Sequence, residues 1–178
     1  ALESDRRRDL ARATAGRVVD AAAATGALIV VVTGDPEVAA WADRRGAEVL
    51  AEPPGGGLDG AATAAAEGAA AAGAPWCILH GDLPLLEAGH LEPILEALSS
   101  GLTVLSPGRT GGTNLLGSHE PVPFAYGPGS FSKHLARVAG RPLRIAFHPA
   151  LALDLDTPDD LDSAARLPGG AWLRPYLG

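Results

Sequence analysis

Short apolar runs at 28–32, 47–51, 76–80, 102–106, 143–147 and 151–155 alternate with stretches of helical spacing, and this alternation constrains the fold more than any other feature. A helix between successive strands is the usual crossover between parallel neighbours. The order therefore predicts an α/β fold, a mostly parallel mixed sheet flanked by helices. The first helix starts near Ser4 or Asp5, with Leu10, Ala13, Val18 and Ala21 on one face, and ends near Thr25-Gly26. Asp35-Pro36 starts a helix through Arg45, and an alanine-rich helix runs from Leu58 to Ala72. Further helices are expected over 87–98, over 130–139 and from Pro158 onward. The run Trp76-Cys77-Ile78-Leu79-His80 is unbroken, as in a strand covered on both faces.

Two acidic stretches stand at the ends of such runs. Gly81-Asp82-Leu83-Pro84 follows 76–80, so Asp82 emerges at the carboxyl end of a strand, where open α/β sheets place ligands. In Leu151-Ala152-Leu153-Asp154-Leu155-Asp156, strand alternation would send the leucines to one face and Asp154 and Asp156 to the other. Hard divalent cations take oxygen ligands and are commonly held by one or two carboxylates plus substrate phosphates. Asp82, Asp154 and Asp156 are thus the candidate metal ligands, with Asp82 and Asp154 the catalytic pair. The plainer reading of Asp156-Thr157-Pro158-Asp159-Asp160 is a helix start: Asp156 or Thr157 caps, Pro158 opens the first turn, and the helix dipole favours the acids that follow. It accounts for Asp159 and Asp160 but not for Asp154.

Three loops add weaker signals. Arg109-Thr110-Gly111-Gly112-Thr113-Asn114 offers a guanidinium, hydroxyls and unhindered amides to an anion. Tyr126-Gly127-Pro128-Gly129-Ser130 precedes a helix, with Ser130 its expected N-cap and free amides at the positive helix end. Glu52-Pro53-Pro54-Gly55-Gly56-Gly57-Leu58-Asp59 leads into another helix, its glycines allowing a flat ligand close to the backbone.

Taken in order, Gly-Leu-Asp at 57–59, Gly-Asp-Leu-Pro-Leu-Leu at 81–86, Gly-Gly-Thr-Asn at 111–114, Phe-Ala-Tyr-Gly-Pro-Gly-Ser-Phe at 124–131 and Leu-Asp-Leu-Asp-Thr-Pro-Asp-Asp-Leu at 153–161 resemble one family. It comprises the guanylyltransferases that act on 2-phospho-L-lactate or phosphoenolpyruvate in making coenzyme F-420. The resemblance spans most of the chain. It implies a nucleotidyltransferase domain of glycosyltransferase-A-like fold, with GTP and an anionic three-carbon phosphate as substrates and magnesium as cofactor. By the same resemblance Asp82 and Asp154 hold metal, while Thr113, Gly127 and Ser130 hold the acceptor's carboxylate and phosphate; Arg109, read from its own loop, is a further candidate to bind that anion. Glu52, Gly57, Leu58 and Asp59 would face the guanine. Family members start with a strand and a Lys- and Arg-bearing triphosphate loop, so residues 1–178 are expected to form a single domain lacking that segment; Ala1-Leu2-Glu3-Ser4-Asp5 reads as a helix start. Thr110 stands where the family often has aspartate.

The alternatives are a related nucleotidyltransferase with another acceptor such as 3-phospho-D-glycerate, a nucleotide-sugar glycosyltransferase, and a silent nucleotide-binding module. A glycosyltransferase would favour an Asp-x-Asp where Gly81-Asp82-Leu83 carries one carboxylate. With a net charge of −7 and dispersed arginines, the chain is not expected to bind nucleic acid. No apolar run reaches the roughly twenty residues of a spanning helix, so no membrane insertion is expected. A single cysteine, Cys77, excludes a disulfide framework and fits a reducing cytoplasm. The five histidines, 80, 90, 119, 134 and 148, read as structural or surface residues. Trp172 and Tyr176 near the end suit packing or a homo-oligomer contact, and the reactive diphosphate product suits hand-off to the next pathway enzyme.

Overall fold

The computed structural model describes residues 4–177, so the part of the expected helix start at 1–3 lies outside the described residues. Helix α1 (Ser4–Ala23) buries Leu10, Thr14 and Val18, one residue per turn. Strand β1 (Val30–Thr33) runs parallel to β2 (Glu48–Ala51) in a two-stranded sheet, with Val31 opposite Val49. The crossover between them is α2 (Pro36–Asp43), whose cap Asp35 accepts from the Glu37 amide at 2.7 Å while Pro36 opens the first turn. Helix α3 (Gly57–Ala71) buries Ala62 and Ala66. Their small side chains let it lie against both β1 and β3 (Trp76–Leu79).

A second sheet holds β3, β4 (Thr103–Pro107), β5 (Thr113–Ser118) and β6 (Leu143–Ile145) in the order β3-β5-β4-β6. Strand β5 is antiparallel to both neighbours, and β4 pairs parallel with β6. The sheet is therefore mixed, and β5 is a strand the sequence pattern did not reveal. Only Leu115 and Leu116 in it are large and apolar, among Thr113, Asn114, Gly117 and Ser118, so neither a continuous run nor an alternation shows. Tertiary burial makes it a strand: all six residues are buried. A tight reversal feeds it, with the Gly108 amide donating to the Gly112 carbonyl at 2.9 Å and Gly111 at φ +86°. Among the described residues β3 has a single partner, β5, and only Trp76 in it is fully buried. The expectation of cover on both faces overstates it.

Alternate strand residues feed two cores. Val104 and Leu115 pack with Val18 of α1 and with Leu91, Ile94 and Leu98 of α4 (Ala88–Ser99). Leu105 and Leu116 pack with Ala62, Ala66 and Val138, the last at the end of α5 (Ser130–Arg137). The expected strand at 151–155 is absent. Pro149–Ala152 forms a one-turn helix, α6, because His148 Nδ1 accepts from the Ala150 amide at 3.2 Å and Pro149 presets the first turn. Leu151, Ala152 and Leu153 are consequently all buried, which breaks the inferred two-face alternation. Helix α7 (Pro158–Arg166) follows, and a 3-10 segment (Gly170–Tyr176) packs on it. Trp172 turns inward: its Nε1 donates to the Pro84 carbonyl at 3.1 Å and the Arg17 guanidinium lies 5.0 Å from its ring. Among the described residues no helix is long and apolar enough to cross a membrane.

Candidate functional site

Antiparallel pairing sets the end of β3 beside the start of β5, with Leu79 opposite Leu115 and the His80 amide donating to the Asn114 carbonyl at 3.1 Å. Asp82 and Thr113 thus lie at the same end of these two strands. After α6 the chain returns to this end, where the Leu155 amide donates to the Asp82 carbonyl at 3.1 Å. The β4–β5 turn holds the returning segment: the Arg109 amide donates to the Ala152 carbonyl at 2.9 Å and Asn114 Nδ2 to the Leu151 carbonyl at 3.0 Å.

This wiring gathers the three acidic candidates. Asp82, Asp154 and Asp156 each offer a carboxylate oxygen, and these oxygens lie within 4.8 Å of one another. Asp82 Oδ1 is buried without a hydrogen-bond partner among the described residues. Burial pushes the Asp82 carboxyl above its usual range, His80 pulls it down, and the charges of Asp154 and Asp156 push it up. Three clustered carboxylates with one orphaned buried acceptor match the donor set of a hard divalent cation. Asp154 reaches the cluster from extended chain beyond α6, without a strand.

Arg109 has a partner within the protein. Its Nη2 donates to Asp160 Oδ1 at 2.9 Å, and Asp160 Oδ2 accepts from the Thr157 amide at 2.9 Å and hydroxyl at 2.7 Å. Thr157 is the cap of α7 and Pro158 and Asp160 occupy its first turn, as the helix-start reading expects. The pairing carries the β4–β5 turn onto the helix that begins beside Asp156. Nothing in the sequence pattern signals it.

A second group lies where β5 meets α5. Thr113 and Ser130 are both 1% exposed, and their hydroxyl oxygens are 3.3 Å apart. Gly127 (φ +104°) and Gly129 (φ +68°) adopt backbone that other residues resist, which explains the Gly-Pro-Gly spelling. Gly129, not Ser130, is the N-cap of α5; Ser130 is pulled one position into the helix by its bond to Thr113. Two of the amides expected to be free are used, Ser130 donating to the Gly127 carbonyl at 3.0 Å and Phe131 to the Gly111 carbonyl at 3.2 Å. His134, read from the sequence as a structural or surface residue, is structural: it is fully buried and bonds Thr113 Oγ1 at 2.9 Å, a partner the sequence pattern does not signal.

The glycine-rich loop before α3 meets the same region. Asp59 Oδ1 accepts from the Tyr126 amide at 2.7 Å, and Gly56, Leu58, Asp59, Tyr126 and Gly127 line an open cleft of about 360 Å³. Leu58 is 50% exposed there. Gly57 opens α3 with φ +53°, and Glu52 lies just beyond β2, its amide donating to the Thr33 carbonyl at 3.3 Å. The Tyr126 ring lies 5.3 Å from that of His80, tilted by 40°, linking cleft and acidic cluster.

A family model described as guanylyl transferase CofC like matches residues 1–167. The chain belongs to the CofC-like guanylyl transferase family. That membership makes it a nucleotidyltransferase. Among curated CofC-like relatives, the phosphoenolpyruvate guanylyltransferase of Sphaerobacter thermophilus is 36% identical over 96% of this chain and 86% of its own. The 3-phospho-D-glycerate guanylyltransferase of Phenylobacterium zucineum is 38% identical over 86% of this chain and 75% of its own. Among solved structures, a Desulfovibrio desulfuricans chain described as a nucleotide-diphospho-sugar transferase superposes with a TM-score of 0.71 at 18% identity, covering 96% of this chain and 83% of that one. The two chains thus share an α/β fold.

Proposed function

We propose that the chain transfers the guanylyl group of GTP to the phosphate of phosphoenolpyruvate, releasing pyrophosphate, in making coenzyme F-420. The single observation that carries the reading is a CofC-like chain that combines an acidic cluster, a Thr113–Ser130 pair and an open cleft. A phosphate oxygen of the acceptor attacks the α-phosphorus of GTP; the new P–O bond forms as the bond to the β-phosphate bridging oxygen breaks. The electron pair leaves with pyrophosphate. The nucleophile is already ionised, so no general base is required, and charge neutralisation and alignment carry the acceleration.

Asp82, Asp154 and Asp156 fit magnesium, which when bound supplies Lewis-acid neutralisation of the phosphates. Thr113, Gly127 and Ser130 surround the acceptor. Leu58, Gly57 and Asp59 face the guanine from the cleft, with Glu52 at its margin. Arg109 contributes by fixing α7 beneath the metal ligands as well as by its half-exposed charge. The Sphaerobacter relative's name favours phosphoenolpyruvate, and the Phenylobacterium relative's name supports 3-phospho-D-glycerate as the second acceptor to test.

The test is pyrophosphate release with GTP and magnesium while phosphoenolpyruvate, 2-phospho-L-lactate and 3-phospho-D-glycerate are supplied in turn. Release with phosphoenolpyruvate alone is the expected result. Release with another acceptor reassigns the substrate, and release with none sinks guanylyl transfer.

A further inference from the structure

His134 has no solvent exposure, and both its ring nitrogens are engaged. Nε2 lies 2.8 Å from the Ala125 backbone nitrogen. A backbone N–H can only donate, so Nε2 accepts, and in the neutral ring the proton sits on Nδ1. Nδ1 faces Thr113 Oγ1 at 2.9 Å and therefore donates to it. The ring is walled by Tyr126, edge-on at 4.9 Å, and Phe124, edge-on at 6.2 Å, which oppose a flip to the other arrangement. A cationic ring would set an Nε2–H against the Ala125 N–H. The protein resists that form: burial, then the charge of Arg137, with Lys133 and His80 adding and Asp59 opposing, lower the His134 pKa to about 4.

The consequence falls on the two hydroxyls. Thr113 and Ser130 carry one proton each, and the bond between them uses one, Ser130 donating to Thr113 at 3.3 Å. Because the imidazole donates, it consumes neither. Thr113 then accepts twice, and its own proton has no acceptor among the described residues. In the opposite tautomer Thr113 would donate to the ring and no proton would remain. A buried donor without a partner is costly, and an anionic oxygen satisfies it well.

We propose that His134 is a positioning residue for the acceptor: the tautomer that the Ala125 amide imposes on it makes the Thr113–Ser130 pair a net proton donor to the acceptor's anionic oxygen. The inference rests on the guanylyl-transfer reading, in which these two hydroxyls face the acceptor. His134 also joins the Tyr126–Ser130 loop to the start of β5 through one ring, so it sets the spacing of the two segments that surround that oxygen.

Two measurements test it. In wild-type protein with ring-labelled histidine, nitrogen-15 NMR at neutral pH should show His134 with the proton on Nδ1 and a bare Nε2; a proton on Nε2 overturns the proposal whether or not any variant folds. In steady-state kinetics with phosphoenolpyruvate, His134→Phe and Thr113→Val should each raise the acceptor KM on the order of tenfold, the worth of one hydrogen bond to a charged group, and leave the GTP KM within about twofold. The double variant should be no worse than the poorer single. Multiplying effects, or an equal rise in both KM values, overturn the positioning role while leaving guanylyl transfer standing. Absence of pyrophosphate release by wild-type protein with every acceptor removes the guanylyl-transfer reading itself, and the tautomer measurement remains decisive for the hydrogen-bond arrangement.

Discussion

The backbone amide of Leu155 donates to the carbonyl of Asp82 across 3.1 Å, joining two stretches that the chain separates by α4, three strands, α5 and α6. It is a main-chain bond, so side-chain replacement at either position leaves it available. What it brings together is unfavourable by itself: three carboxylates with oxygens within 4.8 Å repel one another unless a cation or protons intervene.

Asp82→Asn should therefore separate function from stability. Removing one charge relieves repulsion from Asp154 and Asp156, so the metal-free Tm should stay level or rise. Pyrophosphate release should fall by at least about a hundredfold, the scale of losing one electrostatic element of a transition-state site. The rise in Tm on adding magnesium should shrink with it. Near-normal turnover in the variant would remove Asp82 from the site.

Asp160→Ala should act on stability first. The carboxylate, only 12% exposed, takes the Thr157 amide and hydroxyl and pairs with Arg109. Loss of the carboxylate half of the capping box, with its pairing to Arg109, should cost about 1–2 kcal/mol in urea unfolding. Because α7 begins just after Asp156, the magnesium concentration giving half-maximal activity should rise as well. An unchanged unfolding midpoint would show that the capping box contributes nothing.

The fold and the acidic cluster were legible in the chain to different depths and for different reasons. Asp82 was readable because a strand-like apolar run ends just before it, a local pattern. Asp154 was picked out by an alternation that does not exist, since Pro149 and the His148 cap turn the segment into helix; the carboxylate still reaches the cluster because the Leu155 amide ties the chain there. Strand β5 was invisible because Thr113, Asn114, Gly117 and Ser118 are chosen for their neighbours: the Thr103 hydroxyl lies 3.1 Å from that of Ser118, and a Cβ on Gly117 would come within 2.9 Å of the Trp76 carbonyl oxygen. The pairings Arg109–Asp160 and Thr113–His134 span 51 and 21 residues, and no periodicity carries information over such separations.

Leu58 tests the cleft. An apolar side chain left half exposed at a helix start, beside glycines, suits the face of a flat base. Leu58→Ala removes part of that surface and should raise the GTP KM about threefold to tenfold, from roughly 1 kcal/mol of apolar contact, with the acceptor KM unchanged. A rise in the acceptor KM instead would place the acceptor in the cleft.

The last prediction concerns pH and stability. His134 has a folded pKa of about 4 against an ordinary value of 6.5. Above pH 6.5 neither folded nor unfolded chain is protonated there, and the native state keeps its full stability. As pH falls from 6.5 toward 4, the unfolded chain takes up a proton that the native protein refuses, so stability declines across that window and levels off below it. His90, lowered by burial and by His148, acts in the same direction, whereas Asp82, raised by burial, acts in the opposite one. The contribution of His134 is isolated by comparison with His134→Phe, which cannot take the proton in either state. Wild-type Tm should drop more steeply between pH 7 and pH 5 than that of the variant, and parallel curves would show that the fold does not hold this ring neutral.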